Sequence, residues 1–478
     1  MHDFLSRICG SAYRYVALMA TFATVAVVVA VPTTAVKAET LAGALARAYQ
    51  FNPELNAERA AVRANDENVP LALSGFRPIV AADGSTGYQS TRSRVDGAPN
   101  STTDLYPTTL GLTITQPLFR GFRTQNAVAQ AESGVLAARA GLENTEQNIL
   151  VLATQVYMDV LADRALLALS QQNVAFLDEQ VRAAQARFDV GEGTRTDIAQ
   201  ASARRAFALA EVSAAQADLS ASNAAYRQVI GVDPAELVTP APFTSGIHNT
   251  LQANLDDALA SHPAIRAARA NIDAAQSAVA IAEGELLPTV DLEGRTQRSW
   301  DNGTDGGPND SVSATLRLSV PIYQGGSVTA SIRQSIEILG QSRLELDVTR
   351  EQIRAAIFAA FGGLEASRAQ IEASTLQVSA AQIALSGTIE EQRVGQRTTL
   401  DVLNSQEEVI NARILEVNAR RDLVVASYSL ASALGRLSAA SLGLEVIQYE
   451  PTEHYEAVRD RWYGLRTPDG RGGVLFGD

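Results

Sequence analysis

Two spacings of apolar residues divide the chain between them. From Val312 to Val320 every second residue is apolar: Val312, Ala314, Leu316, Leu318 and Val320 fall on one side, with Ser313, Thr315, Arg317 and Ser319 on the other. Leu110, Leu112 and Ile114 alternate with Gly111, Thr113 and Thr115, and Val290, Leu292 and Gly294 with Asp291, Glu293 and Arg295. A period of two puts neighbours on opposite faces of a strand. Val80–Gln89 carries a weaker version, and DGAPNSTTDLYP and DNGTDGGPND have the composition of turns. Elsewhere apolar residues fall three and four apart, as in Val174, Leu177, Val181, Ala184 and Phe188, and in Leu209, Val212, Ala215 and Leu219. That is a coiled-coil seam with many small knobs.

Proline and glycine set the lengths. No proline lies between Pro117 and Pro234 or between Pro321 and Pro451. Gly191 and Gly193 interrupt the first interval and Gly395 the second. Each interval therefore predicts a helical hairpin with a tight glycine turn, over 121–230 and 325–434. The long arms, 121–189 and 325–393, would each span about 100 Å. The short arms, 195–230 and 398–434, reach about 54 Å, and helices over 53–75 and 263–286 supply about 35 Å more.

The same unit is written twice. QPLFRGFR (116–123) and VPIYQGGS (320–327) are 204 residues apart, as are DVGEGTRTD (189–197) and RVGQRTTLD (393–401). NPEL (52–55) and HPAI (262–265), and RPIV (77–80) and LPTV (287–290), are offset by 210. One length difference of six separates the copies, which is the signature of internal duplication. The expected organisation is a leader over 1–38, a first repeat over 39–231 with strands at about 78–118, and a linker over 232–262. A second repeat follows over 263–435 with strands at about 288–322, then an equatorial segment and polar tail over 436–478.

Composition narrows the function. Arg7 and Arg14, the apolar run Val16–Val31 and the exit Val36-Lys37-Ala38 read as a secretory signal cleaved before Glu39. Cys9 is the one cysteine and precedes the apolar run, so no disulfide or thiolate metal site is expected afterwards. The chain has 39 basic and 53 acidic residues, three and one of them before Glu39, which leaves a charge of −16 and argues against nucleic acid. Lys37 is the only lysine, so no phosphate-binding loop follows the leader. His248, His262 and His454 do not pair at metal spacing, and no nucleophile elbow appears. No enzyme activity and no cofactor are expected.

Apolar-out, polar-in strands behind a secretory signal point to a membrane β-barrel, although a half-buried soluble sheet alternates too. Four strands cannot close a useful barrel and lipid forbids open edges, so several chains must share one. Two, three or four copies would close it.

At this point NPEL, QPLFRG, FDVGEGTRTD, LPTVDL, VPIYQGG and VGQRTTLDVL resemble the TolC family of outer-membrane channel proteins, over about residues 40–445. The resemblance implies an α+β membrane protein: a homotrimer with a twelve-stranded outer-membrane barrel continuous with a twelve-helix periplasmic tunnel. It implies export of small molecules or proteins from a Gram-negative cell, with a periplasmic adaptor and an inner-membrane efflux pump or ABC transporter. A soluble periplasmic coiled-coil scaffold is the alternative, and a secreted glycan-binding protein a weaker one.

The candidate residues follow from both readings. The turns at Gly191, Gly193 and Gly395 need left-handed backbone, and the resemblance makes them the adaptor-docking tip. It also implies that Arg397 locks the closed tip through Thr196 and Asp197, and that Asp401 forms a constriction ring that favours cations. In the family pattern Gln392 replaces a tip tyrosine and Asn404 a second ring acid. Helix capping by Thr194, Asp197, Thr398 and Asp401 explains the same residues without a pore. Pro117, Gly121, Pro321 and Gly325 mark strand-to-helix junctions. Asp291, Glu293, Arg295 and Arg317 would face the lumen, and Trp300 and Tyr106 a membrane interface. The tail beyond 450 is expected to lack fixed structure.

Overall fold

A computed structural model describes residues 38–470, apart from 95, 98, 249 and 304–306. Nearly all of the expected leader, with Cys9, lies outside the described residues, as do the last eight residues of the tail. Among the described residues no helix is long and apolar enough to cross a membrane.

The duplication is visible element by element. The first half runs α1 (Leu41–Phe51), α2 (Pro53–Asp66), α3 (Asn68–Leu73), β1 (Ile79–Thr86), β2 (Gln89–Ser93), β3 (Ser101–Leu105), β4 (Thr108–Arg120), α4 (Arg123–Asp189) and α5 (Arg195–Ile230). The second runs α6 (Leu251–Ser261), α7 (Pro263–Gly284), β5 (Thr289–Trp300), β6 (Asn309–Ser319), α8 (Ser327–Arg393) and α9 (Thr399–Ala433), and α10 (Pro451–Val458) closes the order. Both long helices have 67 residues, and an advance of 204 carries both ends of α4 onto those of α8. Each is about 100 Å long.

Local chemistry sets these boundaries. The Asn52 side-chain oxygen accepts the N–H groups of Glu54 (2.9 Å) and Leu55 (3.2 Å), and proline follows at N1. At the equivalent start of α7, His262 Nδ1 accepts the Ala264 N–H at 3.1 Å, again before proline. Both long helices end two residues before glycine at positive φ, Gly191 (82°) and Gly395 (80°). That backbone favours glycine and reverses the chain.

The four principal strands form one antiparallel sheet in the order β1-β4-β5-β6. Within the first repeat Ile79 pairs with Thr115, and within the second Thr289 pairs with Ser319. Advancing the first partner by 210 and the second by 204 converts one register into the other. Part of the connection expected to be pure turn is a strand: Ser101–Leu105 pairs with Gln89–Ser93 as a two-stranded extension. Its Thr102 and Thr103 are β-branched, and Tyr88 donates to Asp104 at 2.9 Å to hold the hairpin.

The main core sits at mid-height of the hairpins. Leu41 and Leu45 of α1, Leu150 and Tyr157 of α4, Tyr226 and Ile230 of α5, Tyr428 of α9 and Leu437 are buried together. The Tyr157 hydroxyl lies 2.8 Å from the Glu39 carbonyl and 2.7 Å from the Val238 carbonyl, and accepts the Val238 N–H at 3.0 Å. It thereby ties the start of the described chain and the segment after α5 to α4. In the lower hairpins Leu177, Ala201, Ala208 and Leu403 are buried with Val181 beside them. The α5 seam thus runs through Ala201 and Ala208 rather than through Leu209, which is exposed. Small side chains let α4 approach closely, and Leu209 is left on the other flank.

The tail also departs from expectation. Glu450 caps α10, its carboxylate accepting the Thr452 hydroxyl at 2.7 Å, and Val458 is buried. Residues 451–458 therefore form a packed helix, with His454 and Tyr455 half-buried, whereas 459–470 are exposed.

Candidate functional site: a two-faced sheet and the hairpin tips

The sheet has one apolar and one polar face, and its register shows why. Val80, Ile114, Gly294 and Ala314 lie in one row, and Ala82, Leu112, Thr296 and Val312 in the next. Leu292 pairs with Leu316 and Val290 with Leu318 on the same face. Ile114, Leu292, Leu316 and Leu318 are all exposed, so none of the described residues forms a layer over that face. The opposite face carries Asp83, Thr113, Thr115, Glu293, Arg295 and Arg317. Arg295 pairs with Asp83 at 3.2 Å and Arg317 with Glu293 at 3.8 Å. Asp291, Glu293, Arg295 and Arg317 therefore share one face, joined by Asp83, which the weak alternation of β1 concealed.

At the sheet end far from the helices, Tyr106 packs on Tyr88 (centroids 5.4 Å apart) and donates its N–H to Asp301 at 2.6 Å. Trp300 lies under Arg298 at 5.7 Å.

At the helical end, Pro117 is buried at a bulge between Pro117 and Phe119. Gly121 (φ 61°) and Phe122 (φ 59°) then turn the strand into α4 through two successive left-handed residues. Gly325 (65°) and Gly326 (84°) do the same after Pro321. A Cβ on Gly121 would collide with the Gly284 carbonyl, and one on Gly284 with the Gly121 carbonyl. Nothing lies within 4 Å of the corresponding position on Gly325.

Both hairpin tips carry the same capping box. The Thr194 hydroxyl accepts the Asp197 N–H at 3.2 Å while the Asp197 carboxylate accepts the Thr194 N–H at 2.9 Å. Thr398 and Asp401 repeat this at 3.2 and 2.9 Å. The Thr194 hydroxyl and N–H hold the Asp197 carboxyl below the usual carboxylate range, with Arg187 adding to the effect. The Thr398 N–H and hydroxyl do the same for Asp401. Depressed values mean stabilisation that is complete above the ordinary carboxylate pKa and lost as pH falls through the folded value. Thr194→Ala is expected to cost about 1 kcal/mol of local helix stability. Faster amide exchange confined to the first turn of α5 is the measurement.

Arg397 is held inside its own hairpin. Its Nε donates to Glu391 at 2.8 Å, and Glu391 raises its pKa. Thr196 and Asp197 are not joined to Arg397 within one chain, and Asp197 is engaged in its capping box. Polar contacts between the two hairpins are made by arginines and amides most of which sequence reasoning passed over. Arg187 donates to Gln392 at 3.2 Å, and Arg204 reaches Asn404 at 3.2 Å and Glu407 at 2.7 Å. Gln406 donates to Asn173 at 3.2 Å. Gln392 and Asn404 were singled out only as departures from a pattern; here each is an acceptor for an arginine of the other hairpin.

The family model described as outer membrane efflux protein matches residues 44–232 and 254–436. The chain is 47% identical over 434 residues to outer membrane efflux protein BepC of Brucella suis biovar 1, covering 91% of this chain and 93% of that protein. It is 26% identical over 412 residues to outer membrane protein TolC of Vibrio cholerae serotype O1, covering 84% and 92%. The fold is similar to the crystal structure of the Campylobacter jejuni CmeC outer membrane channel, with a TM-score of 0.74 at 14% identity, covering 88% of this chain and 89% of that one.

Proposed function

Because this chain belongs to the outer membrane efflux protein family, we propose that three copies of it close one twelve-stranded barrel and continue it inward as a twelve-helix tunnel. The protein is an outer-membrane export channel of a Gram-negative bacterium, and it works with a periplasmic adaptor and an inner-membrane transporter. The observation that carries the assembly is the sheet itself: four strands, a bare apolar face, and unpaired edges on β1 and β6. Lipid tolerates a bare apolar face but not an open edge. A soluble scaffold would leave that face uncovered in water.

Equivalent positions in the two repeats support the same reading. Ala140 of α4 is buried, whereas Leu344, 204 residues on, is 67% exposed; Thr154 is buried and Phe358 is 51% exposed. The first repeat has the second packed on this flank. The second repeat has larger apolar residues there and no neighbour among the described residues, so a further copy supplies it.

Polar faces of three sheets would line the lumen, and the hairpin tips would form the periplasmic entrance. Adaptor contact falls on the turns at Gly191, Gly193 and Gly395. Asp401 from three copies, kept ionised by its cap, gives a ring that favours cations. The lock of Arg397 with Thr196 and Asp197 acts between hairpins of the assembly, in competition with Glu391. The name of the 47% identical relative, an efflux protein, favours efflux over protein secretion as this chain's task.

Recording from the purified protein in planar bilayers tests the reading. Wild type is expected to give small-conductance channels, and Arg397→Ala channels severalfold larger. An unchanged conductance removes the lock, and absence of any channel removes the duct.

A further inference from the structure

The segment after α9 climbs the outer margin of the first repeat toward the sheet. Its aromatics meet arginines of the body one after another. Tyr449 lies under Arg59 at 5.4 Å, Tyr455 under Arg139 at 5.1 Å, and Trp462 under Arg77 at 4.9 Å. Between the first contact and the second, α10 is pinned by His454, whose Nδ1 is 2.9 Å from the buried Asp66 carboxylate. Arg77 also donates to the Arg461 carbonyl at 2.7 Å. Arg77 stands two residues before β1, so the strap ends at the rim where helices give way to strands.

At that rim the chain makes a tied loop. Arg461 Nε donates to the Tyr463 carbonyl at 3.2 Å, its Nη1 reaches the Arg466 carbonyl, and Gly464 takes φ 116°. The loop presents Trp462 at 66% exposure, Tyr463 at 90% and Leu465 at 54%. Three large side chains held outward by a structured loop need a partner. The rim beside them is itself apolar: Phe76, next to Arg77, lines a shallow groove with Leu118 and Phe122, and all three are exposed. Leu118 belongs to β4, so the groove lies at the helical end of the sheet.

We propose that residues 461–465 are an interfacial anchor, seated in the headgroup layer of the periplasmic leaflet of the outer membrane. The inference rests on the proposed function, since it needs the sheet to be in lipid. Tryptophan and tyrosine suit that layer because their rings are apolar while their N–H and O–H groups stay hydrated. The Arg77 guanidinium, stacked on Trp462, would share the polar stratum with the phosphates. A tail tied to the body at Asp66 and to lipid at Trp462 would fix the height of the tunnel against the bilayer.

The chain has two tryptophans, Trp300 and Trp462, so Trp300→Phe leaves one reporter. In vesicles of phosphatidylethanolamine and phosphatidylglycerol, lipid brominated near the headgroup is expected to quench its emission about twofold. Lipid brominated near the bilayer centre and aqueous iodide should each quench it less. Quenching by iodide alone would mean a tail free in water. Quenching by neither would mean a tail seated against a second copy; either overturns the anchor. Leu316→Trp in a chain lacking both natural tryptophans is the control, expected to be quenched from the bilayer centre. Should that control fail, the barrel reading falls with it; should it hold while Trp462 is unquenched by lipid, only the anchor falls.

Discussion

Gly121→Ala is expected to remove nearly all assembled channel from the outer membrane. Two costs coincide at this residue. Its φ of 61° is a left-handed conformation that costs an L-residue about 1–2 kcal/mol. The added methyl also meets the Gly284 carbonyl, which is backbone and cannot rotate away. Separating the start of α4 from the end of α7 would cost about 1–3 kcal/mol more. A total of about 3 kcal/mol is a large fraction of the stability of an ordinary domain. Gly284→Ala, on the other side of the contact, should reproduce the loss although its backbone is helical. Phe122→Gly should be tolerated, because it relieves a positive φ and restores the residue type found at Gly326. The measure is the amount of heat-modifiable oligomer in outer-membrane fractions. Wild-type levels for Gly121→Ala would mean that the junction is looser than its geometry implies.

The sequence disclosed the parts of this architecture that depend on short-range rules. Alternation in β4, β5 and β6 assigned residues to the faces where the register puts them, because a period of two leaves no freedom once one face is apolar. Glycines and prolines marked where the chain reverses. What stayed hidden was long-range. Asp83 sits in a strand of small residues, so only its partner Arg295 on β5 reveals its role. Arg187, Arg204 and Glu407 looked like solvated helix charges, and only the packing of α4 and α5 against α8 and α9 gives them partners across the hairpins. Leu209 fell off the α5 seam for a related reason: Val212, Ala215 and Leu219 stay half-buried in step with Ala201 and Ala208, but a helix has two flanks, and periodicity does not say which one meets which neighbour. Within the tail only α10 went unforeseen, because its aromatics are too widely spaced to form a period.

A disulfide between Ser85→Cys and Arg317→Cys is expected to join three chains covalently, and the duplication specifies that pair. Within the chain β4 meets β5 with Thr113 opposite Arg295, Ile114 opposite Gly294 and Thr115 opposite Glu293. In the proposed assembly the junction between copies would bring β6 against the next β1, which are the repeat equivalents of β4 and β5. Advancing each β4 residue by 204 and setting each β5 residue back by 210 gives Arg317 opposite Ser85, Leu318 opposite Gly84 and Ser319 opposite Asp83. Below the bulge, Phe119 opposite Val290 becomes Tyr323 opposite Val80. This accounts for an asymmetry between the repeats: β4 continues to Arg120, where β5 pairs with it, whereas β6 stops at Ser319 and leaves Ile322 and Tyr323 at 95% and 85% exposure. Directly opposed residues have Cα atoms about 4.5–5.5 Å apart, within disulfide range. Loss of the Arg317–Glu293 pair is a small perturbation, since both side chains are partly solvated. Cys9 is the only native thiol, so competing bridges are few. Mild oxidation should give a thiol-reversible species of three chain masses on a denaturing gel, in more than about half of the protein. Ser85→Cys with Ser313→Cys, four residues along β6 and about 13 Å out of register, should give none. A two-chain or four-chain ladder would replace the trimer, and cross-linking of the out-of-register pair would break the symmetry on which the interface rests.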